Sequence, residues 1–204
     1  MPHKMSNYDV IIVGAGSIGN PTACFLAQEG LKVLVIERRS ASGQGENKAA
    51  IGGARATHSD PGKISICIES LKIFATWKEK YGFDIGWKEG GYCFPVFSDE
   101  VEDVLKRLIP TQKKFGLDID WVGPDRICDL VPGIVQEGLR GGTYSPKDGQ
   151  VSSILAPVAF QREAMSNGAE YLFKERVSNY IFDKNRVTGV ITNKGRYSSN
   201  TVVL

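Results

Sequence analysis

The residues with the most specific chemistry in this chain are three glycines and one carboxylate. Gly14, Gly16 and Gly19 stand in the spacing G-x-G-x-x-G, with Ala15, Ser17 and Ile18 between them, and Glu37 comes further on. Such a run builds a cradle for phosphates. Gly14 permits a tight turn, Gly16 lets the backbone approach a pyrophosphate, and Gly19 lets a helix pack closely on a strand. Where Ser17 and Ile18 lead into that helix, its N-terminus offers unpaired N–H groups and the positive end of a dipole. Glu37 is placed to accept hydrogen bonds from both ribose hydroxyls of an adenosine. Its charge would repel a 2′-phosphate, so NADP is disfavoured although Arg38 and Arg39 come next.

A G-x-G-x-x-G run alone is weak evidence, and the elements around it supply the rest. Tyr8 to Val13 is a short apolar run rich in β-branched residues, as expected of a strand buried on both faces of a parallel sheet. Ile18, Thr22, Phe25 and Leu26 then recur at helical spacing up to Gly30, with Pro21 in the first turn, where a missing N–H costs little. Lys32 to Ile36 is a second buried strand that ends at Glu37. The unit is β-α-β. Eight of the 23 glycines fall within the first 53 residues, which concentrates the ligand chemistry at that end.

This fingerprint does not separate FAD from NAD, and the residues after Glu37 bear on the choice. Ser40 to Ala56 is rich in Gly, Ser and Asn without a clear period, so it reads as a long loop beginning beside the ribose end of a cofactor. Loops of that length in a compact domain are usually functional or disordered.

The segments Asp9 to Gly19 (DVIIVGAGSIG), Val33 to Arg39 (VLVIERR) and Ala41 to Gly53 (ASGQGENKAAIGG) together resemble the D-amino-acid-oxidase-like (DAO) family of FAD-dependent oxidoreductases, of the glycine, sarcosine and dimethylglycine oxidase type. Weaker support comes from Asp129 to Ile134, from Asp148 to Ser153, and from the stretch running to Leu204. The resemblance implies an α/β fold. Its FAD-binding domain would be Rossmann-type, a glutathione-reductase-like parallel sheet with an antiparallel meander, assembled from residues 1–81 and 147–204. Residues 82–146 would form part of an α+β substrate-binding domain. It implies FAD as cofactor, with Glu37 on the ribose, Arg38 flanking the adenine and the backbone of Val177 near it. Ser42, Gly45, Asn47, Lys48 and Ala49 would run along the pyrophosphate and flavin ring. The implied chemistry is hydride transfer from the carbon of a C–N bond to flavin, on an amino acid or N-methylated amine.

Catalytic residues are less legible. Lys48, in the loop expected near the flavin, is a candidate to stabilise negative charge on the reduced ring, against the alternative of a solvated lysine. Arg55 and His58 are weaker candidates, against a surface histidine or a capping contact before Pro61. No Ser-His-Asp, Cys-His or paired-carboxylate arrangement suggests another reaction. Cys24, Cys67, Cys93 and Cys128 are scattered without C-x-x-C spacing, and with only His3 and His58 present no metal site is expected. The four read as free cytosolic thiols, Cys67 on a core face.

Composition sets the outer limits. With 42% hydrophobic and 24% charged residues the chain is an ordinary globular mixture, and a net charge of +2 is too small for a nucleic-acid binder. The longest apolar run, Ile154 to Phe160, contains Pro157 and is far too short to span a membrane. Met1 to Ser6 lacks the apolar stretch of a signal peptide, so a cytoplasmic protein is expected.

Further along, a helix from Pro61 would present Ile64, Cys67, Ile68, Leu71, Phe74 and Ala75, and an aromatic strand around Tyr92 would lie at an edge or bulge because of Pro95. Ser98 would cap a helix with Val101, Val104, Leu105 and Leu108 on its core face, kinked or ended by Pro110. Ser153 would cap another helix, with strands at Glu170 to Phe173, Val177 to Phe182 and Val187 to Thr192 after it, and Val202 to Leu204 would return to the sheet as a buried strand. In the resembled family that strand is succeeded by more FAD contacts and by the residues that clamp the substrate carboxylate. The 204 residues therefore read as the N-terminal half of a longer enzyme, with a second chain or an oligomer as an implied way to complete it. Two further readings stay open: a non-catalytic dinucleotide-binding subunit, and an NAD-dependent oxidoreductase.

Overall fold

The computed structural model describes residues 7–204. Met1 to Ser6, where no signal peptide is expected, lies outside the described residues. In chain order the elements begin with β1 (Val10–Val13), α1 (Gly19–Gln28), β2 (Val33–Glu37), a single 3-10 turn at Glu46–Ala49, β3 (Gly53–Ala54) and α2 (Pro61–Tyr81). Then come β4 (Lys88–Glu89), β5 (Tyr92–Val96), α3 (Asp99–Lys114), β6 (Asp120–Val122), α4 (Pro124–Leu130), β7 (Gly141–Ser145) and β8 (Gly149–Gln150). The last are α5 (Leu155–Ser166), β9 (Glu170–Phe173), β10 (Val177–Asp183), β11 (Arg186–Thr192), β12 (Arg196–Ser198) and β13 (Val202–Val203).

The chain divides into two compact units, residues 1–51 with 152–204, and residues 52–151. These divisions differ from the boundaries at 82 and 146 expected from sequence. Helix α2 falls in the second unit because its Ile64 and Leu71 share a buried cluster with Leu117 and Ile119.

In the first unit a parallel sheet runs in the order β13-β1-β2-β9. Val33, Leu34 and Val35 are fully buried, as strands covered on both faces must be. Alternate residues serve the two faces. Ile12 lies under α1, close to Gly19, whereas Ile11, Leu34 and Ile36 join Val190 and Tyr197 of the antiparallel meander β10-β11-β12. Helices α1 and α5 pack together, Phe25 edge-on to Phe160 at 6.1 Å. Their buried positions are mostly small residues, Ala23, Cys24 and Ala27 on one and Ala156, Ala159 and Ala164 on the other.

The buried amide on α1 is Asn20. Its Nδ2 donates to the carbonyls of Ala15 (3.3 Å) and Pro157 (2.8 Å), and its Oδ1 accepts from the Tyr171 hydroxyl (3.2 Å). One side chain thus ties the glycine-rich turn, α5 and β9 together. Burial holds the Tyr171 phenol well above its ordinary range. A second buried polar cluster supports the meander: the Glu175 carboxylate accepts from Thr192 Oγ1 at 2.6 Å and from the Tyr197 hydroxyl at 2.8 Å. Burial, then the bond to Glu175, pushes the Tyr197 pKa up to about 12.

Several local expectations shift. Leu155 N–H donates to Ser152 Oγ, not to Ser153, whose hydroxyl instead donates to the Ala50 carbonyl. Strand β13 pairs with β1, but Val202 and Val203 are half-buried because β13 lies at the edge of the described sheet.

The second unit contains two small antiparallel sheets, β3-β8-β4 and β5-β7-β6. Strand β5 lies at an edge, where Pro95 removes no central ladder bond. Helix α2 starts behind Asp60, whose side chain accepts from Lys63 N–H at 2.8 Å, and buries Ile64, Leu71 and Trp77. Trp77 replaces the exposed Ala75 of the expected face. Helix α3 is capped by Ser98 as expected, yet it continues through Pro110 to Lys114. Loss of one intrahelical bond is tolerated because Ile109 and Gln112, on either side, are buried. Its core face is rotated: Val101 and Val104 are exposed, and Leu105 and Leu108 are half-buried. Periodicity marks an apolar stripe but not which edge of it faces inward.

Asn20→Ala should lower the unfolding free energy by about 2 kcal/mol, because two buried carbonyls lose a donor. Chemical denaturation of the purified protein checks this; a change within a few tenths would show that Asn20 does not tie these elements.

Candidate functional site

The first unit gathers the glycine-rich turn and Glu37 at the carboxyl ends of β1 and β2, the position where ligands bind in open parallel sheets. Gly14 has φ +107°, open to glycine and strained for other residues, and its N–H donates to the Ile36 carbonyl at 2.8 Å. A Cβ on Gly19 would run into the Gly14 carbonyl, so helix and turn can meet only with glycine there.

Glu37 binds the turn from the side. Its Oε2 accepts the Ala15 N–H at 2.8 Å and its Oε1 accepts the Arg39 N–H at 2.7 Å. A carboxylate offers about four acceptor positions, so capacity remains for two hydroxyl donors. Glu37 is also shared by two recesses. One, of about 330 Å³, includes Gly14, Arg38, Glu175, Arg176 and Val177. The other, of about 310 Å³, is lined by Gly14 to Gly19, by Gly45, Glu46 and Asn47, and by Val203.

The loop after β2 folds back onto the turn. Gly43 N–H donates to the Ala15 carbonyl at 2.9 Å, and Asn47 Oδ1 accepts from Ser17 N–H at 3.2 Å while its Nδ2 donates to the Ser153 carbonyl at 3.3 Å. Ser42, just before Gly43, is buried, and its Oγ has no hydrogen-bond partner among the described residues. Lys48 and Ala49 are exposed and line neither recess. Of the residues expected on a cofactor, the structure therefore brings Gly14, Gly16, Ser17, Ile18, Gly19, Glu37, Arg38, Gly45, Asn47 and Val177 around the two joined recesses. Ser42 lies beside them in the chain.

Sequence reasoning missed Asn20, Glu46, Glu175, Arg176 and Val203. A signal existed for Asn20: it shares one helical face with Ala23, Cys24 and Ala27, where a polar residue must find partners.

Arg55 and His58 lie in the second unit, on a recess of about 280 Å³ with Thr57, Phe94, Leu105, Leu108 and Gln112. The fully buried Asp148 shapes this segment by accepting from Ala56 N–H (3.0 Å) and Thr57 Oγ1 (2.6 Å). Arg55 donates to the Thr57 carbonyl and lies over the rings of Phe94 (5.3 Å) and Tyr92 (5.9 Å). Burial, then the charges of Arg55 and Lys63, lower the His58 pKa from 6.5, opposed by Asp148 and by a hydrogen bond to the Arg55 backbone. No group of three or more metal-ligating side chains occurs among the described residues, and no helix there is long and apolar enough to cross a membrane.

A strand, a glycine turn, a helix N-terminus and a carboxylate at the end of the next strand define a dinucleotide-binding α/β protein. Comparison with known proteins gives the particular family: residues 9–204 match the family of FAD-dependent oxidoreductases (DAO), and the chain belongs to it. The chain is 27% identical to the sarcosine oxidase subunit beta of Arthrobacter sp over 213 residues, covering all of this chain and 52% of that protein. It is 30% identical to the glycine oxidase of Geobacillus kaustophilus over 176 residues, 83% of this chain and 46% of that one. Among solved structures, L-proline dehydrogenase from P. horikoshii matches with a TM-score of 0.91 at 28% identity, over 97% of this chain and 52% of that one. The chain spans about half the length of these relatives. FAD is the cofactor of the family, which resolves the choice between FAD and NAD that the glycine fingerprint left open.

Arg55→Gln should raise the His58 pKa toward 6.5 by removing the second-largest cause of its depression. NMR titration of the His58 ring checks the direction; an unmoved pKa would separate the two side chains electrostatically.

Proposed function

We propose that the protein is the cofactor-holding part of an FAD-dependent oxidoreductase that oxidises the C–N bond of an amino acid or N-methylated amine. The observation that carries this reading is the pair of recesses meeting at Glu37, one suited to an adenosine and one to a pyrophosphate. The three relatives act by name on sarcosine, glycine and proline, all amino acids, which supports the substrate class.

The residues fit the cofactor. The open acceptor positions of Glu37 would take the ribose hydroxyls, Arg38 and the Val177 backbone would flank the adenine, and the turn Gly16 to Ile18 would meet the pyrophosphate, the Ser17 N–H being shared with Asn47 Oδ1. The buried Ser42 hydroxyl, unpartnered among the described residues, has a donor to give. Gly45 and Asn47 would continue along the cofactor, with Ala49 next on the same loop, and Asn47 keeps the loop against the turn. Bound FAD would supply a two-electron acceptor for hydride from the carbon next to nitrogen. Lys48, exposed on the loop after β2, would be the group that stabilises negative charge on the reduced ring. In this reading residues 82–146 contribute to substrate binding.

A second reading has one observation in its favour. Because the chain spans about half of its relatives' length, it also fits a dinucleotide-binding subunit that another chain completes. The two differ in colour: purified protein that is yellow and releases FAD on denaturation supports the first, and FAD uptake only after a second polypeptide is added supports the other.

Glu37→Gln should weaken FAD binding about tenfold, a loss of roughly 1.4 kcal/mol, as read by quenching of flavin fluorescence. Undiminished affinity would remove Glu37 from the ribose. Lys48→Met should shift the reduction potential of the bound flavin, and an unchanged potential would remove Lys48 from the mechanism.

A further inference from the structure

We infer that α3 carries a homodimer interface: a second copy of this chain packs its own α3 antiparallel against the stripe Val101, Val104, Leu108, Thr111 and Phe115. Neither cofactor nor substrate takes part in this contact.

Apolar residues occupy more of α3 than its own unit covers. The helix packs on α2, β6 and β7, and it buries Ile109 and Gln112. Beside that buried face, Val101, Val104, Leu108, Thr111 and Phe115 follow one another at steps of three, four, three and four residues. Val101 is 46% exposed, Val104 44% and Phe115, the C-cap residue, 39%, while Leu108 and Thr111 are half-buried. Alternating steps of three and four are the seam of a two-helix coiled coil, narrower than the stripe of a helix that faces only its own core.

This seam is self-complementary when reversed. Turned about an axis at Lys106, Val101 comes opposite Thr111 of the second copy and Val104 opposite its Leu108. Phe115 reaches the end of the other helix, where Phe97, 49% exposed, precedes the Ser98 cap. A two-fold axis makes each such contact twice, as an isologous dimer requires.

Charge selects both the occupant and the direction. Helix α3 bears four acids in its first half, Asp99, Glu100, Glu102 and Asp103, and four bases in its second, Lys106, Arg107, Lys113 and Lys114. Half of these are committed within the unit: Asp99 and Glu102 to Arg140, Glu102 also to Lys106, and Lys113 to Asp120. Glu100, Asp103, Arg107 and Lys114 are exposed and form no ion pair among the described residues. Glu100, Arg107 and Lys114 stand directly before Val101, Leu108 and Phe115, so they line one edge of the seam. In an antiparallel pair these edges meet, and Glu100 of each copy faces Lys114 of the other. Near the axis each Arg107 has Asp103 one turn before it, which offsets the approach of the two guanidinium groups. A parallel pair would set Glu100 and Arg107 against Leu105 and Gln112 of the second copy and leave their charges unmatched.

The test is sedimentation equilibrium of the purified chain. A single helix pair is a small interface, so the dimer should dissociate at about 10 µM. Val104→Glu should raise that dissociation constant at least about tenfold by placing a charge in the seam. Glu100→Lys and Lys114→Glu should each raise it about fivefold, and the two together should restore it to within about twofold, because the pair is re-formed with its signs exchanged. Melting curves by circular dichroism establish that each variant is folded. A chain that stays monomeric at about 300 µM, well above the expected constant, overturns the inference and leaves the stripe to a different polypeptide. So does a dimer that folded Val104→Glu leaves intact, or one that the double reversal fails to restore.

Discussion

The contact on which the first unit depends most is the pair of hydrogen bonds accepted by Glu37. One carboxylate at the end of β2 takes the Ala15 N–H from the turn after β1 and the Arg39 N–H from its own loop. Charged acceptors on backbone N–H groups make strong bonds, and these fix the turn against the neighbouring strand before any ligand arrives. That placement constrains its neighbours. Gly14 must take a positive φ so that the chain can enter the turn, and Gly19 must lack a Cβ so that α1 can start where its N-terminus faces the recess. Gly43 and Asn47 then bring the next loop onto the same turn. A site made this way is preorganised by backbone groups, so its geometry is set by the fold more than by mobile side chains.

How much of this was legible depended on whether the signal was local. The β-α-β unit, the glycine turn and Glu37 were readable because strand periodicity, turn chemistry and helix entry all occur within about thirty residues, the span of one such unit. The edge position of β5 was readable from Pro95 alone, since proline lacks the N–H that a central strand needs. The misread parts depend on partners distant in sequence. Nothing near Asn20 announces that it meets Pro157 and Tyr171, and nothing near Ser153 announces that Ala50 will take its hydroxyl. The rotated face of α3 is the same problem. Its apolar stripe is wide enough that only packing decides whether Val104 or Gln112 is inside.

The candidate catalytic residues show the limit in another form. Lys48, Arg55 and His58 are candidates by charge and loop position, and the structure distinguishes among them by surroundings. Lys48 is exposed, whereas Arg55 and His58 share a recess in which burial, then the Arg55 charge, lowers the His58 pKa. Arg55 meets no carboxylate among the described residues and has two aromatic neighbours. Neither property can be read from spacing, because Phe94 is far from Arg55 in sequence.

The discontinuity of the first unit bears on how the chain comes to be folded. Strands β1 and β2 are made early, but β9 and β13, which flank them, and α5, which packs on α1, belong to residues 152–204. Residues 52–151 are contiguous, with contacts that close within themselves, so they can fold as a unit on emerging from the ribosome. The segment carrying the glycine turn must wait, its apolar strands partly uncovered, until the chain behind it arrives. Lengthening the intervening stretch adds little to the cost of closing it, about 0.6 kcal/mol for each doubling. The fold therefore tolerates a whole domain between Ile51 and Ser152, and the vulnerable interval in its synthesis is the one in which Val33 to Ile36 still lacks β9 along its outer edge.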